Sequence, residues 1–225
     1  MTPAERIKLV RAEMDALGYP LDKQAAILGQ MAKETDSFQT LKEYGGSSYF
    51  RKYDPQYNPR KAKELGNTQP GDGARFKGRG FVQITGRSNY EQLSKQMFEA
   101  GLVDSPDALV KNPELLEDPT FGLKASLFYL ENRNPKSETA DRYSQAVNPG
   151  LFKKPWKERA GGRNLETADP ALYARQSKRA QADIKKRREN TQAFAGALQA
   201  EQQIPSTTAG LEGWDDLNNP WMTGR

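Results

Sequence analysis

Two glutamates nine residues apart, Glu34 and Glu43, are the first residues in this chain whose type and spacing could do chemistry. Glu34 follows Ile27 and Met31 on one helical face and lies where that apolar face runs out. Partial burial and the negative end of a helix both disfavour a charged carboxylate, the condition a general acid needs. Glu43 stands beyond the helix, beside Lys42 and near Arg51 and Lys52, where cations favour the charged form a general base needs. Two carboxylates set apart in this way suit hydrolysis of a glycosidic bond. An idle, exposed Glu at a helix end is the plainer alternative. The chain contains no His and no Cys. That removes Ser-His and Cys-His dyads, thiol nucleophiles, disulfides and the usual zinc sites. Acid and base must then come from Asp, Glu, Lys or Tyr, and no metal or cofactor is expected.

The segment Gly78-Arg79-Gly80-Phe81-Val82-Gln83-Ile84-Thr85-Gly86-Arg87-Ser88-Asn89-Tyr90 is the strongest local signal. If 81–85 is extended, Phe81, Gln83 and Thr85 point one way, and Val82 and Ile84 point the other. An amide and a hydroxyl then share one face, and Asn89 projects from the helix start that follows. Such groups suit sugar hydroxyls, N-acetyl groups or a positioned water. A phosphate loop is excluded, because Gly-Lys-Ser/Thr is missing. A bland loop is the alternative.

These residues need a mainly helical frame to hold them. Thr2-Pro3-Ala4-Glu5 forms a capping box before Ile7, Val10, Met14 and Leu17, and Gly18 closes that helix. Asp22 is expected to cap a second helix carrying Glu34. Residues 35–80 lack periodicity and read as loops with one short hairpin near 38–50. Ser88-Asn89-Tyr90-Glu91 is a second capping box. Ser105-Pro106, Asn112-Pro113 and Asp118-Pro119 mark three further starts, the last opening a helix apolar on most sides. A short helix is expected over 137–147, a basic loop over 150–169 and a long polar helix from Pro170 to about Gln202. Within 170–202 there are 7 Lys/Arg against 3 Asp/Glu, including the run Lys185-Lys186-Arg187-Arg188. That run reads first as a solvated face and second as an anion-binding one. The last stretch, 203–225, has no periodicity and carries Trp214 and Trp221 beside Asp215 and Asp216.

The formal charge of +5 favours anionic partners such as nucleic acid, acidic lipid or an acidic wall, without choosing among them. No signal-peptide core and no transmembrane run is present, so the product is expected to be made soluble.

Ala32-Lys33-Glu34-Thr35 with Phe38, then Glu43, then the segment 78–90 resembles glycoside hydrolase family 19, which includes chitinases and many phage endolysins. The resemblance covers roughly residues 5–150, and the short loops bring it nearer the phage branch. It implies a lysozyme-like helical fold with a substrate cleft and an inverting mechanism. Glu34 falls on the family's general acid and Glu43 on its general base. Thr85 matches the hydroxyl that holds the water. Gln83, Asn89 and the adjoining Tyr90 match the substrate-contacting segment, Lys33 stands where the family has His, and Asn148 loosely matches an Asn-Gly-Gly segment. Asp36-Ser37 replace the usual glycines, and Lys77 replaces the second aromatic before Gly-Arg-Gly. These departures bear on substrate identity.

The expected organisation is a catalytic domain over 1–150, a basic helical extension over 151–202 and an extended tail over 203–225 that could dock on a virion or tail protein. The expected function is cleavage of the β-1,4 glycan of peptidoglycan. The protein would act as an endolysin, passing from the host cytoplasm to the periplasm and wall through a holin, or as a virion-packaged lysin. A chitinase, a lytic transglycosylase and an inactive structural or DNA-ejection component are the alternatives. Nucleic acid is not an expected partner, although the basic helix leaves it open.

Overall fold

Thr2 starts the first helix by the reciprocal capping its sequence promised. Its hydroxyl accepts the Glu5 N–H at 3.2 Å while the Glu5 carboxylate accepts the Thr2 N–H at 2.6 Å. The helix, α1, runs Pro3–Ala16 and buries Ala4, Ile7, Val10 and Met14. Gly18 turns the chain at φ +67°, and Gln24 donates to Asp15 and to the Tyr19 carbonyl to fix the corner. The second helix, α2 (Leu21–Glu34), is capped by Pro20 rather than Asp22, which sits inside its first turn. A proline fixes the extended entry without needing a side-chain cap.

The computed structural model describes residues 1–133 and 178–202. The described residues divide into two compact units, the first of residues 1–39, 133 and 178–202 and the second of residues 40–132. The elements expected at 137–147 and 150–169, residues 170–177 of the polar helix, Asn148 and the tail 203–225 lie outside the described residues.

In the first unit every residue of α2 from Gln24 to Ala32 is buried. The last described helix of the chain packs along it; it spans Lys178–Gln202 and is labelled α9 here. It turns Ile184, Arg187, Asn190, Phe194 and Leu198 inward, a stripe at helical spacing on an otherwise polar sequence. The closest approach is at Gly29. A Cβ there would lie 2.9 Å from the Thr191 backbone nitrogen and nearer still to its hydroxyl. Small residues at 25, 26, 29 and 32 admit the partner backbone.

After α2 the chain makes a left-handed turn in which Asp36, Ser37 and Phe38 have φ of 50°, 58° and 64°. Its surroundings hold it there. Buried Thr35 accepts the Phe38 N–H at 3.0 Å, and Phe38 packs edge-on to Phe194. Arg6 donates to the carbonyls of Phe38 and Gln39. Each such residue costs about 1–2 kcal/mol that a glycine would not. Ser37→Gly is therefore expected to stabilise the protein by about 0.5–1 kcal/mol after the glycine's own entropy cost, while Ser37→Ala gives no gain. Chemical denaturation of both variants checks this.

The second unit replaces the expected hairpin near 38–50 with something non-local. Lys42 bridges antiparallel to Arg79, and Arg79 bridges to Ile84. Residues 47–50 coil into α3 (Ser47–Phe50), followed by a 3-10 turn at Arg51–Tyr53. The Gly45-Gly46 entry and Ser47 favour a helical turn, so Lys42 finds its bridge partner 37 residues away instead.

The stretch read as loops also holds α4 (Pro59–Leu65), capped by Asn58 and closed by Gly66, and α5 (Asp72–Arg75). Buried carboxylates organise the rest. Asp54 accepts the Gly71 N–H at 2.6 Å. Asp72 accepts the N–H groups of Thr68 and Gln69 and both arms of Arg87.

Helix α6 (Arg87–Glu99) starts from Gly86 without a side-chain cap, so Ser88 is not the cap its sequence suggested. Asn67 accepts the Arg87 N–H instead. Then come α7 (Ala108–Lys111), a 3-10 turn at Pro113–Glu117 and α8 (Pro119–Arg133). Asp118 caps α8 through the Phe121 N–H, and α8 is buried on most sides as expected. Among the described residues the protein is mainly α-helical and has no strand longer than an isolated bridge.

Candidate active site

In the second unit Gly78 is the anchor of one cluster. Its carbonyl accepts the Glu43 N–H at 2.8 Å, and its own N–H donates to Glu43 Oε2 at 3.1 Å. The other carboxylate oxygen, Oε1, accepts from Tyr53 at 2.9 Å, Tyr49 at 3.1 Å and the Lys52 ammonium at 3.5 Å. Glu43 is thus tethered by Oε1, and Oε2 is the oxygen with spare accepting capacity. Burial and the nearby Glu43 charge push the Tyr53 phenol up to about 12 although Lys52 opposes it, so it stays a proton donor at neutral pH. The Lys52 ammonium lies over the rings of both tyrosines, 3.4 and 4.5 Å from their centres. Of the other cations near Glu43 in sequence, Lys42 pairs with Glu117 and Arg51 stacks on Tyr57.

The segment 81–85 is a turn rather than a strand. Gln83 has φ +50°, its N–H donates to the Gly80 carbonyl, and Phe81, Val82 and Ile84 are all buried. A five-residue strand has no edge to pair with here; closing the Arg79–Ile84 bridge needs a tight reversal instead. The reversal nevertheless brings the expected groups together. A Cβ built on Gly78 would lie 2.7 Å from Gln83 Oε1, 3.2 Å from Thr85 Oγ1 and 3.3 Å from Glu43 Oε2. An amide oxygen, a hydroxyl and a carboxylate therefore converge on one small space.

The Thr85 hydroxyl donates to the Gln83 carbonyl at 2.8 Å, which leaves its lone pairs to accept. Asn89 donates to the Thr85 carbonyl at 2.6 Å and holds that turn. Tyr90 does not reach substrate as expected. It is fully buried, and its hydroxyl donates to the Lys77 carbonyl and accepts from Arg79. A large ring whose hydroxyl finds two partners is more stable in the core than at a polar surface.

In the first unit Glu34 ends α2 with its side chain largely buried. Its carboxylate accepts from Arg187 of α9 at 2.6 Å. The same guanidinium donates to Gln30, one turn back on α2, and to Asp183, one turn back on α9. Burial opposes the charge of Asp183, but Arg187 and Lys33 outweigh it and hold that carboxyl below the usual range. Lys33, expected at substrate, is drawn to Asp183 at 2.7 Å. The burial expected for Glu34 is present, and the fold adds to it a cation, Arg187, that the helix end alone did not announce.

Arg187, Asp183 and Gln30 were missed in the sequence because Arg187 stands inside a basic run. The available signal was the Asp183/Arg187 spacing of four with Ile184 between them. Tyr49 and Tyr53 were missed as well; their signal was weaker, aromatic residues three and seven positions past a loop pair of glycines. Among the described residues no group of three metal-ligating side chains comes together.

A helical protein with one tethered carboxylate beside a hydroxyl, and a second carboxylate held by arginine, has the parts of an acid–base hydrolase. No family model matches the chain. A glycosyl hydrolase family 19 domain-containing protein of Haemophilus influenzae is 35% identical over 152 residues, covering 57% of this chain and 72% of that relative. The chain belongs to glycoside hydrolase family 19. Solved structures similar to it include a mutant of chitinase C, at TM-score 0.45 and 23% identity over 78% of this chain and 72% of that one. Chitinase C from Streptomyces griseus HUT6037 is similar at TM-score 0.43 and 22% identity, over 85% and 75% of the two chains.

Proposed function

We propose that this protein hydrolyses the β-1,4 glycan of peptidoglycan with inversion, Glu34 acting as general acid and Glu43 as general base. The observation that carries the reading is the convergence of Glu43 Oε2, Thr85 Oγ1 and Gln83 Oε1 beside Gly78. A water donating one proton to Oε2 and the other to the Thr85 hydroxyl has its lone pair turned toward the sugar. Oε1 cannot compete for it, because three donors already occupy that oxygen. As the C1–O bond breaks, Glu34 protonates the leaving oxygen, the water adds to C1, and Glu43 takes the water's proton. Arg187 orients Glu34 for that transfer. Membership of a family of glycosidases and the net charge of +5, which suits an acidic wall, support the choice of substrate. The setting that fits is lysis of a bacterial wall, as an endolysin or a virion-borne lysin.

The test is mass spectrometry of purified peptidoglycan after digestion, with borohydride labelling of new ends and Glu34→Gln as control. Hydrated reducing ends absent from the control, with the α-anomer seen first by NMR, are expected. Anhydro-muramyl ends would replace the reading with a lytic transglycosylase, and activity confined to chitin with a chitinase.

A further inference from the structure

Lys77 adjoins the Glu43 cluster, and the chemistry above leaves it unused. It stands between fully buried Phe76 and Gly78, whose N–H holds Glu43. The Tyr90 hydroxyl pins its carbonyl at 2.8 Å, so the backbone from which the side chain leaves is fixed. The side chain is half-buried, with its ammonium 5.1 Å from the centre of the Phe50 ring.

Lys42, Lys52 and Arg79 each have a carboxylate partner, Glu117 for the first and last and Glu43 for the second. Among the described residues Lys77 has none within ion-pair distance. Burial, with Lys42 and Arg79 nearby, pushes its ammonium below the usual lysine range. A partly desolvated cation among other cations is relieved by an incoming anion and gains little from a neutral ligand.

We propose that Lys77 is a specificity-determining residue that favours a glycan carrying a carboxylate beside the scissile bond, such as the lactyl arm of a muramic acid residue, over a neutral chain. This rests on the reading of Glu43 as the base of a wall-glycan hydrolase. A chitin chain has no such carboxylate, so the two substrates differ at the group Lys77 would meet.

The experiment uses peptide-free peptidoglycan strands with free lactyl carboxylates, and the same strands with those groups converted to neutral methylamides. The ratio of kcat/KM on the two is measured for the wild type, Lys77→Gln and Lys77→Arg, each checked for folding by circular dichroism. The wild type is expected to prefer the acidic strand by about tenfold, mainly through KM, with the preference shrinking as salt rises. Lys77→Gln should bring the ratio near one, and Lys77→Arg should keep most of it. Equal kcat/KM on both strands for the wild type, or an equal loss on both for Lys77→Gln, overturns the proposal. Turnover of neither strand sinks the hydrolase reading instead. Calorimetric binding of the two strands to the wild type and Lys77→Gln then still decides the role of Lys77: a preference for the acidic strand that Lys77→Gln abolishes upholds it, and its absence overturns it.

Discussion

Glu43→Gln is expected to lower kcat on a β-1,4 glycan by about 10²–10⁴-fold, the contribution of a positioned general base. The amide keeps the shape of the carboxylate and its oxygen still accepts from Tyr49 and Tyr53, so KM should move little, while its NH2 faces the Gly78 N–H and a modest fall in the unfolding midpoint is expected. What it loses is the basic Oε2 that shares its small space with Thr85 and Gln83. Gly78→Ala reaches the same end from the other side, because its methyl would crowd Gln83 Oε1 at 2.7 Å and press on Thr85 Oγ1 and Glu43 Oε2 while the base stays a carboxylate. Steady-state kinetics on a labelled glycan, with calorimetric unfolding of each variant, checks both. Retention of full activity in Glu43→Gln would remove the base role and leave a one-carboxylate reaction.

Arg187→Met is expected to cost about 3–5 kcal/mol of stability and to lower kcat more than it raises KM. The Arg187 side chain is only 3% exposed. Its loss strands Glu34 and Gln30 and leaves Asp183 with Lys33 alone: two carboxylates lose their shared cation, and a buried amide loses its donor. Arg187→Lys should recover only part of both effects, since one ammonium cannot serve three acceptors in a fixed fork.

The same cluster sets an acid limit. The folded Asp183 carboxyl lies below its ordinary value of 3.8, so its stabilisation is complete above that pH and is lost as pH falls through the lower, folded value. Unfolding free energy of the wild type should therefore drop below about pH 3.8, and that drop should be smaller in Asp183→Asn. An identical acid profile in the two proteins would show that the cluster contributes nothing to it.

Much of the frame was legible locally. The Thr2 box, the Ile7/Val10/Met14 stripe, the Asp118 cap and the apolar α8 follow from spacing alone, because capping and helical periodicity are satisfied within a few residues. The 81–85 turn was not legible. Its alternation of apolar and polar residues fits a strand equally well, and only the pairing of Arg79 with Ile84 forces Gln83 to φ +50°. Nor was the left-handed turn at 36–38, since Asp, Ser and Phe carry no local preference strong enough to announce it. It exists because Phe38 must reach Phe194, 156 residues away.

The absence of His and Cys and the helical class came from the sequence by itself, and so did the nomination of Glu34, Glu43, Gln83, Thr85 and Asn89 as candidate chemical groups, because residue type and short-range spacing can be read without a fold. Which oxygen of Glu43 is tethered, that Tyr90 is core, that Lys33 turns to Asp183 and that Arg187 leaves a basic run to hold Glu34 were decided by tertiary structure. A buried charge goes where its partners are. For Arg187, two of those partners stand on a helix more than 150 residues earlier in the chain.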